Sequence, residues 1–159
     1  MPSSTVEITI TNEIDTIMVK KISSMHCSCF TQGWEFETML QTLITPGTIG
    51  WLHYTDDKPK TPNSFAITRM IAPEAEILTL GTIPDQQGQG KASQLLHDIT
   101  HSMQHNYDID SLYLDVDENN KSAIALYKSA QFAVCGKRKN YYTSKNGIQS
   151  DALLMTRKL

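Results

Sequence analysis

The segment Gln87-Gly88-Gln89-Gly90-Lys91-Ala92 joins an alternating apolar run, Ile77 to Ile83, to a helical stripe of Ala92, Leu95, Leu96, Ile99 and Met103. The first turn of a helix leaves about four backbone N–H groups without intrahelical partners. The aligned peptide dipoles make that end partly positive. Glycines remove the Cβ atoms that would keep an anion away from the amides. Together these features describe a cradle for a phosphate that needs no basic side chain. A nucleotide-triphosphate loop needs Gly, four residues, then Gly-Lys-Ser/Thr, which this segment lacks. A dinucleotide fingerprint needs a third glycine or alanine three residues after Gly90, where the chain has Ser93. A glycine-rich turn with no ligand is the competing reading.

Other residue types invite chemistry and mostly decline it. His97, His101 and His105 recur every four residues, but the apolar stripe of the same helix lies opposite them. They are expected to face solvent, and with no carboxylate completing a His-Glu-x-x-His pattern no metal is expected. Cys27, Cys29 and Cys135 are too few and too unevenly spaced for a disulfide framework or a zinc site. Cys27 and Cys29 read as two small buried side chains on a helix, and none of the three has the surroundings of an activated nucleophile. Asp108, Asp110, Asp115, Asp117 and Glu118 gather acid around one predicted strand, as a solvated rim or an attraction for a basic substrate tail. Tyr141-Tyr142 is either a groove wall or a cross-strand pair.

The elements that must position these residues follow from periodicity. Val6, Ile8 and Ile10 alternate as a first strand; Ile14, Ile17, Met18, Ile22, Met25 and Cys29 form one stripe of a helix. Trp34 to Leu43 predicts a shorter helix ended by Pro46-Gly47. Ile49–Tyr54, Phe65–Ile71 and Ile77–Ile83 read as a three-stranded meander, its first turn at Asp56 to Lys60. After the glycine turn and its helix come a strand at Leu112–Val116, a helix capped by Asn119 or Asn120, and a closing strand pair around Lys145-Asn146-Gly147. The order is β-α-α-β-β-β-α-β-α-β-β, which predicts a single α+β domain over residues 1–159.

Composition narrows the partners. A net charge of -3 and a pI near 5.9 provide no basic footprint, so no direct nucleic acid contact is expected. No apolar run reaches the length of a membrane span, and the first residues lack a signal-peptide pattern. Sparse cysteines and these absences predict a cytoplasmic protein; a monomer or weak dimer is expected.

The run Leu80 to Ala92, followed by Leu95-Leu96, resembles motif A of the GNAT N-acetyltransferase superfamily, Arg/Gln-x-x-Gly-x-Gly/Ala, here Gln87, Gly90 and Ala92. Asn120, Ala123, Leu126-Tyr127 and Phe132 resemble its second signature. His26, Cys29-Phe30, Trp34, the strand Glu74 to Leu80, Arg138, Asn140-Tyr141-Tyr142, Gly147, Asp151-Ala152 and Met155 are similar to the RimI branch, the ribosomal-protein alanine N-acetyltransferases. The resemblance covers Ile8 to Leu159. It implies a mixed, mostly antiparallel sheet of about seven strands with about four helices. It implies acetyl-CoA as co-substrate, held at Leu80, Gly81, Thr82, Gly88, Gln89, Gly90, Lys91, Ala92, Ser93 and Asn120, with no metal. The implied acceptor is the N-terminal α-amine of a protein, that of an alanine-starting small-subunit ribosomal protein. A lysine or small-amine acceptor and a non-catalytic acyl-CoA-binding module are the alternatives.

Acetyl transfer from a thioester needs a neutral amine, a donor for the developing oxyanion and a proton for the departing thiolate. By the resemblance, Asp115 is the base, where the family usually has glutamate. Aspartate is one methylene shorter, losing about 1.3–1.5 Å of reach, which favours a bridging water. Glu76 is a second candidate base, on the strand where wider relatives carry one. Tyr127 matches the family's proton donor; its spacing alone reads as core. The oxyanion donor is expected among the amides of Leu78 to Gly81, freed by a bulge that Gly81 permits.

Overall fold

The computed structural model describes residues 3–9, 16–55 and 61–159. Ile10, Ile14 and the turn expected at Asp56 to Lys60 lie outside the described residues. Alternation builds the sheet. Strand β5 (Ser111–Asp117) buries Leu112, Leu114 and Val116, while Tyr113, Asp115 and Asp117 point to the other face, half-buried. The remaining elements are β1 (Ser3–Ile8), α1 (Thr16–Cys29), α2 (Phe36–Leu43), β2 (Thr48–Thr55), β3 (Ser64–Ile71), β4 (Glu74–Thr82), α3 (Lys91–Asn106), α4 (Lys121–Ser129), β6 (Ala133–Thr143) and β7 (Gln149–Lys158). This is the order and the α+β class expected. One short 3-10 turn, Pro84–Gln86, adds to it.

The seven strands form one sheet in the order β1-β2-β3-β4-β5-β7-β6. Only β4 and β5 pair in parallel. Their connection is α3, the crossover a parallel pair requires. Each face of the sheet carries its own core. Leu95, Leu96, Ile99 and Met103 of α3, with Ile124 and Tyr127 of α4, pack on Trp51, Ile77, Leu112 and Leu114. Val19, Ile22 and Met25 of α1, with Met39 and Leu43 of α2, pack on Leu52, Phe65 and Ile67. Fully burying each such side chain contributes about 1.5–3 kcal/mol.

The α1 stripe is rotated from the expected one. Val19 and Ile22 are fully buried, His26 nearly so, and Ile17 is 71% exposed. Cys27 is exposed and Cys29 half-buried, so the expectation of two buried cysteines fails. The cause is that His26, not a cysteine, occupies the inward position of the last turn of α1.

The parallel ladder between β4 and β5 stops at Ile77↔Leu114, although β4 runs on to Thr82 and β5 to Asp117. Against β3, Ile67 pairs with Thr79 and Thr68 with Ile77, which leaves Leu78 as the extra residue of a bulge. The bulge bends β4 away from β5. It sits at Leu78 rather than Gly81, so glycine has a different purpose. A Cβ on Gly81 would lie 2.8 and 2.9 Å from two ring atoms of the fully buried Phe65, and 3.3 Å from Cys29 Sγ. Gly81→Ala is therefore expected to destabilise the fold by about 1–3 kcal/mol, the cost of overpacking. The midpoint of chemical denaturation measures it.

Candidate active site

The splayed ends of β4 and β5 open two clefts. One, of about 450 Å³, runs from the start of α3 along α4 as far as Tyr127. The loop that feeds it is shaped by Gly88 (φ +70°) and Gly90 (φ +75°), both left-handed. Gln87 Nε2 braces it by donating to the Thr82 carbonyl at 3.1 Å. The amide of Gln94 bonds back to the Gly90 carbonyl at 3.0 Å, so those of Lys91, Ala92 and Ser93 are the orphan donors of the helix start. A Cβ on Gly88 or Gly90 would meet nothing within 4 Å. The space beside these amides fits an anion, and the two glycines serve backbone conformation rather than packing. Every residue expected to hold the cofactor lines this cleft except Gln89, whose Nε2 donates to the Asp85 carbonyl at 3.2 Å.

Gly90→Val tests the cradle. A β-branched side chain at positive φ is strained by about 1–2 kcal/mol, yet its Cβ meets no described atom within 4 Å. The expected result is a folded protein whose affinity for CoA drops at least tenfold, read by calorimetry.

The second cleft, of about 650 Å³, opens between the α1–α2 turn, β5 and the β6–β7 hairpin. The two clefts share Phe30, Leu80, Asn120, Ala123 and Tyr127. Asn120 N-caps α4: its Oδ1 accepts from the Ala123 amide and Ser122 Oγ, both at 3.1 Å. That cap holds the start of α4 at the junction.

Tyr127 is 7% exposed and its ring packs edge-on against Phe132. Burial, then the nearby Tyr142, pushes its phenol up to about 12. It stays protonated at neutral pH and lines both clefts. Asp115 lines the second cleft with a side chain 10% exposed. Among the described residues its Oδ1 is shielded from solvent without a hydrogen-bond partner; the Arg138 Nε is 3.5 Å away, an ion-pair distance too long for a hydrogen bond. Glu76 lies elsewhere. It is exposed on β4 before the bulge, and opens into a separate hollow with Arg69, Tyr113 and Arg138. It is not brought together with Asp115 and Tyr127.

Sequence reasoning named His26 only for its family likeness and gave it no role of its own in the second cleft. His26 is 3% exposed. Its Nδ1 accepts from the Trp34 amide at 2.9 Å, so Nε2 carries the proton and donates to Thr79 Oγ1 at 3.1 Å. Its ring stacks on Trp34 with centroids 4.7 Å apart. It thereby ties α1 to the residue after the bulge. The helical stripe concealed it, because histidine was not counted as apolar. Burial lowers its pKa to about 4. A neutral buried imidazole contributes stability that is complete above the unfolded value near 6.5 and is lost as pH falls towards 4. Between pH 7 and 5 the fold is expected to lose on the order of 1–2 kcal/mol through this group, and His26→Gln to lose less; denaturation at the two pH values checks it.

Tyr142 also enters this cleft, while Tyr141 is 51% exposed with Arg138 over its ring at 5.3 Å. The separation comes from extra residues in β6 between Arg138↔Ala152 and Tyr142↔Ser150. That irregularity is held by Asn140 (φ +52°), whose amide donates to Asp151 Oδ1 at 2.9 Å. Burial, then Asp115, pushes the Tyr142 phenol up to about 12. Of the acidic cluster, Asp117 is satisfied by Ser150 Oγ and the Asn119 amide, and Glu118 by Lys137, which also pairs with Asp151 on β7. His97, His101 and His105 stand on the exposed face of α3, their rings stacked in sequence. Among the described residues, no helix is long and apolar enough to cross a membrane.

The profile of the acetyltransferase (GNAT) family matches residues 19–132. The [ribosomal protein bS18]-alanine N-acetyltransferase of Escherichia coli (strain K12) is 35% identical over 92 residues, 58% of this chain and 61% of that relative. The matched segment thus spans less than two thirds of the relative's length. The crystal structure of the ribosomal-protein-S18-alanine N-acetyltransferase from Escherichia coli superposes with a TM-score of 0.81 at 22% identity, covering 98% of this chain and 94% of that one. Arabidopsis thaliana NAA60 in complex with acetyl-CoA superposes with a TM-score of 0.76 at 17% identity, covering 99% of each chain. At these identities the structural likenesses establish the fold.

Proposed function

Because the chain belongs to the acetyltransferase (GNAT) family, we propose that it transfers an acetyl group from acetyl-CoA to the N-terminal α-amine of a protein, that of an alanine-starting ribosomal protein in the cytoplasm. The observation that carries this reading is the meeting of two clefts at Leu80, Asn120 and Tyr127, one floored by orphan amides and the other holding a shielded carboxylate. The curated relative is named for this reaction, which supports the choice of acceptor.

Gly88, Gly90, Lys91, Ala92 and Ser93 would hold the diphosphate, with Leu80, Gly81, Thr82 and Asn120 along the arm beyond it. Acetyl-CoA supplies an activated acetyl group and a thiol leaving group. Asp115 takes the proton that the amine loses as its nitrogen bonds to the acetyl carbon, directly or through one water. The amides beside the Leu78 bulge, turned from β5, stabilise the negative charge on the carbonyl oxygen. Tyr127 gives its proton to the sulfur as the carbon–sulfur bond breaks, and regains one from solvent. An α-amine has a reference pKa of about 7.7–8.0, against about 10.4 for lysine. A carboxylate base therefore suits an N-terminus better than a lysine.

The test is to incubate the protein with acetyl-CoA and an alanine-starting peptide that also contains lysine, then locate the added 42-dalton-scale group, about one acetyl unit by covalent composition, by fragment mass spectrometry. Acetyl on the α-amine is expected. Acetyl on lysine alone, or CoA binding without any transfer, contradicts the reading.

A further inference from the structure

We propose that Thr79 is the donor that reads the first carbonyl of the acceptor peptide, its hydroxyl proton turned into the second cleft by His26. This rests on the N-terminal acetylation reading above. Thr79 follows the bulge at Leu78, beyond the last rung of the β4–β5 ladder at Ile77. It is half-buried and lines the second cleft but not the amide-floored one, as Asp115 does. That placement gives it to the acceptor rather than to the cofactor.

The direction of its proton follows from its partner. A neutral imidazole has one donor and one acceptor nitrogen. Burial keeps His26 neutral, and its Nδ1 is spent accepting from the Trp34 amide at 2.9 Å. Its Nε2 therefore donates to Thr79 Oγ1, 3.1 Å away. A hydroxyl that accepts on one side turns its own proton elsewhere. Among the described residues that proton has no acceptor. Two other donors of the cleft are already occupied: Ser150 Oγ by Asp117 Oδ2 at 2.8 Å, and Gln32 Nε2 by the Thr143 carbonyl at 3.4 Å. An attacking α-amine carries its first carbonyl oxygen within about 4 Å of the nitrogen, across the N–Cα, Cα–C and C=O bonds. A lysine ε-amine has no carbonyl at that distance and would leave the Thr79 donor unpaired, which costs binding. The same hydroxyl thus favours an N-terminus over a lysine.

An alanine-starting peptide and the same peptide with a thioamide at its first residue isolate the contact, because sulfur is the weaker acceptor. The full chain is assayed with acetyl-CoA for kcat/KM on both. The unaltered protein is expected to favour the oxygen peptide by about 5- to 20-fold, the scale of one hydrogen bond whose donor is otherwise left unpaired. Thr79→Val keeps the β-branched shape and removes the hydroxyl. It is expected to cut that preference about fivefold or more, by slowing the oxygen peptide. Thr79→Ser keeps Oγ and is expected to hold the preference within about twofold. The preference is a ratio read within each protein, so any stability lost by leaving the His26 donor unpaired does not enter it. Equal use of the two peptides by the unaltered protein overturns the assignment and leaves the acetylation reading standing. A preference that persists in Thr79→Val gives the carbonyl to another donor and also overturns it, as does a preference lost in Thr79→Ser. Failure of the unaltered protein to acetylate the α-amine of either peptide defeats the acetylation reading and this one with it.

Discussion

Replacing Tyr127 with phenylalanine is expected to lower kcat by about 100-fold or more, the usual scale for a general acid, while CoA affinity stays within about twofold, as removal of a group used only in the transition state requires. The hydroxyl is the only atom removed. The ring keeps its edge-on packing against Phe132 and its place in the α3–α4 core, so the fold should hold. The phenol, raised to about 12 by burial, is protonated across the working range, so its loss cannot be repaired by changing pH. Steady-state rates with calorimetric CoA binding separate the two effects. An unchanged kcat would make Tyr127 a core residue only, as its helical spacing alone would suggest.

Asp115→Asn is the second large effect. The carboxamide keeps the shape of a side chain only 10% exposed and removes its basicity. A loss of about 10²–10⁴-fold in kcat/KM for the peptide is expected, as for removal of a general base. Arg138 provides the control. Its Nε is 3.5 Å from Asp115 Oδ1, and Arg138→Met is expected to free the carboxylate without abolishing turnover. Asp115→Asn with full activity would transfer the role of base elsewhere. Glu76 is a poor successor, being exposed in a separate hollow.

The sheet was legible in the sequence because its signals are local. Alternation marks β5, and glycine at positive φ marks the entry to α3, so element order and the anion cradle could be read before any coordinates. The acceptor cleft was not legible in the same way, because it is assembled from residues distant along the chain. His26 reaches Thr79, Trp34 turns back on His26, and Tyr142 enters only because β6 carries extra residues held by Asp151. Such irregularities leave no periodic trace. Gly81 illustrates the reverse error: its glycine suggested backbone freedom, whereas the ring of Phe65, sixteen positions earlier in sequence, sets the requirement through space. Asp115 was found through family likeness; spacing alone marked only one more acidic residue in a cluster.

Amide NMR of the labelled protein during CoA titration tests the seat of the cofactor directly. Saturable shifts are expected at Gly88, Gly90, Lys91, Ala92 and Ser93, with a second group at Leu80 to Thr82 along the arm. Saturable CoA binding that leaves the amides at the start of α3 unmoved, or no binding at all, would contradict it.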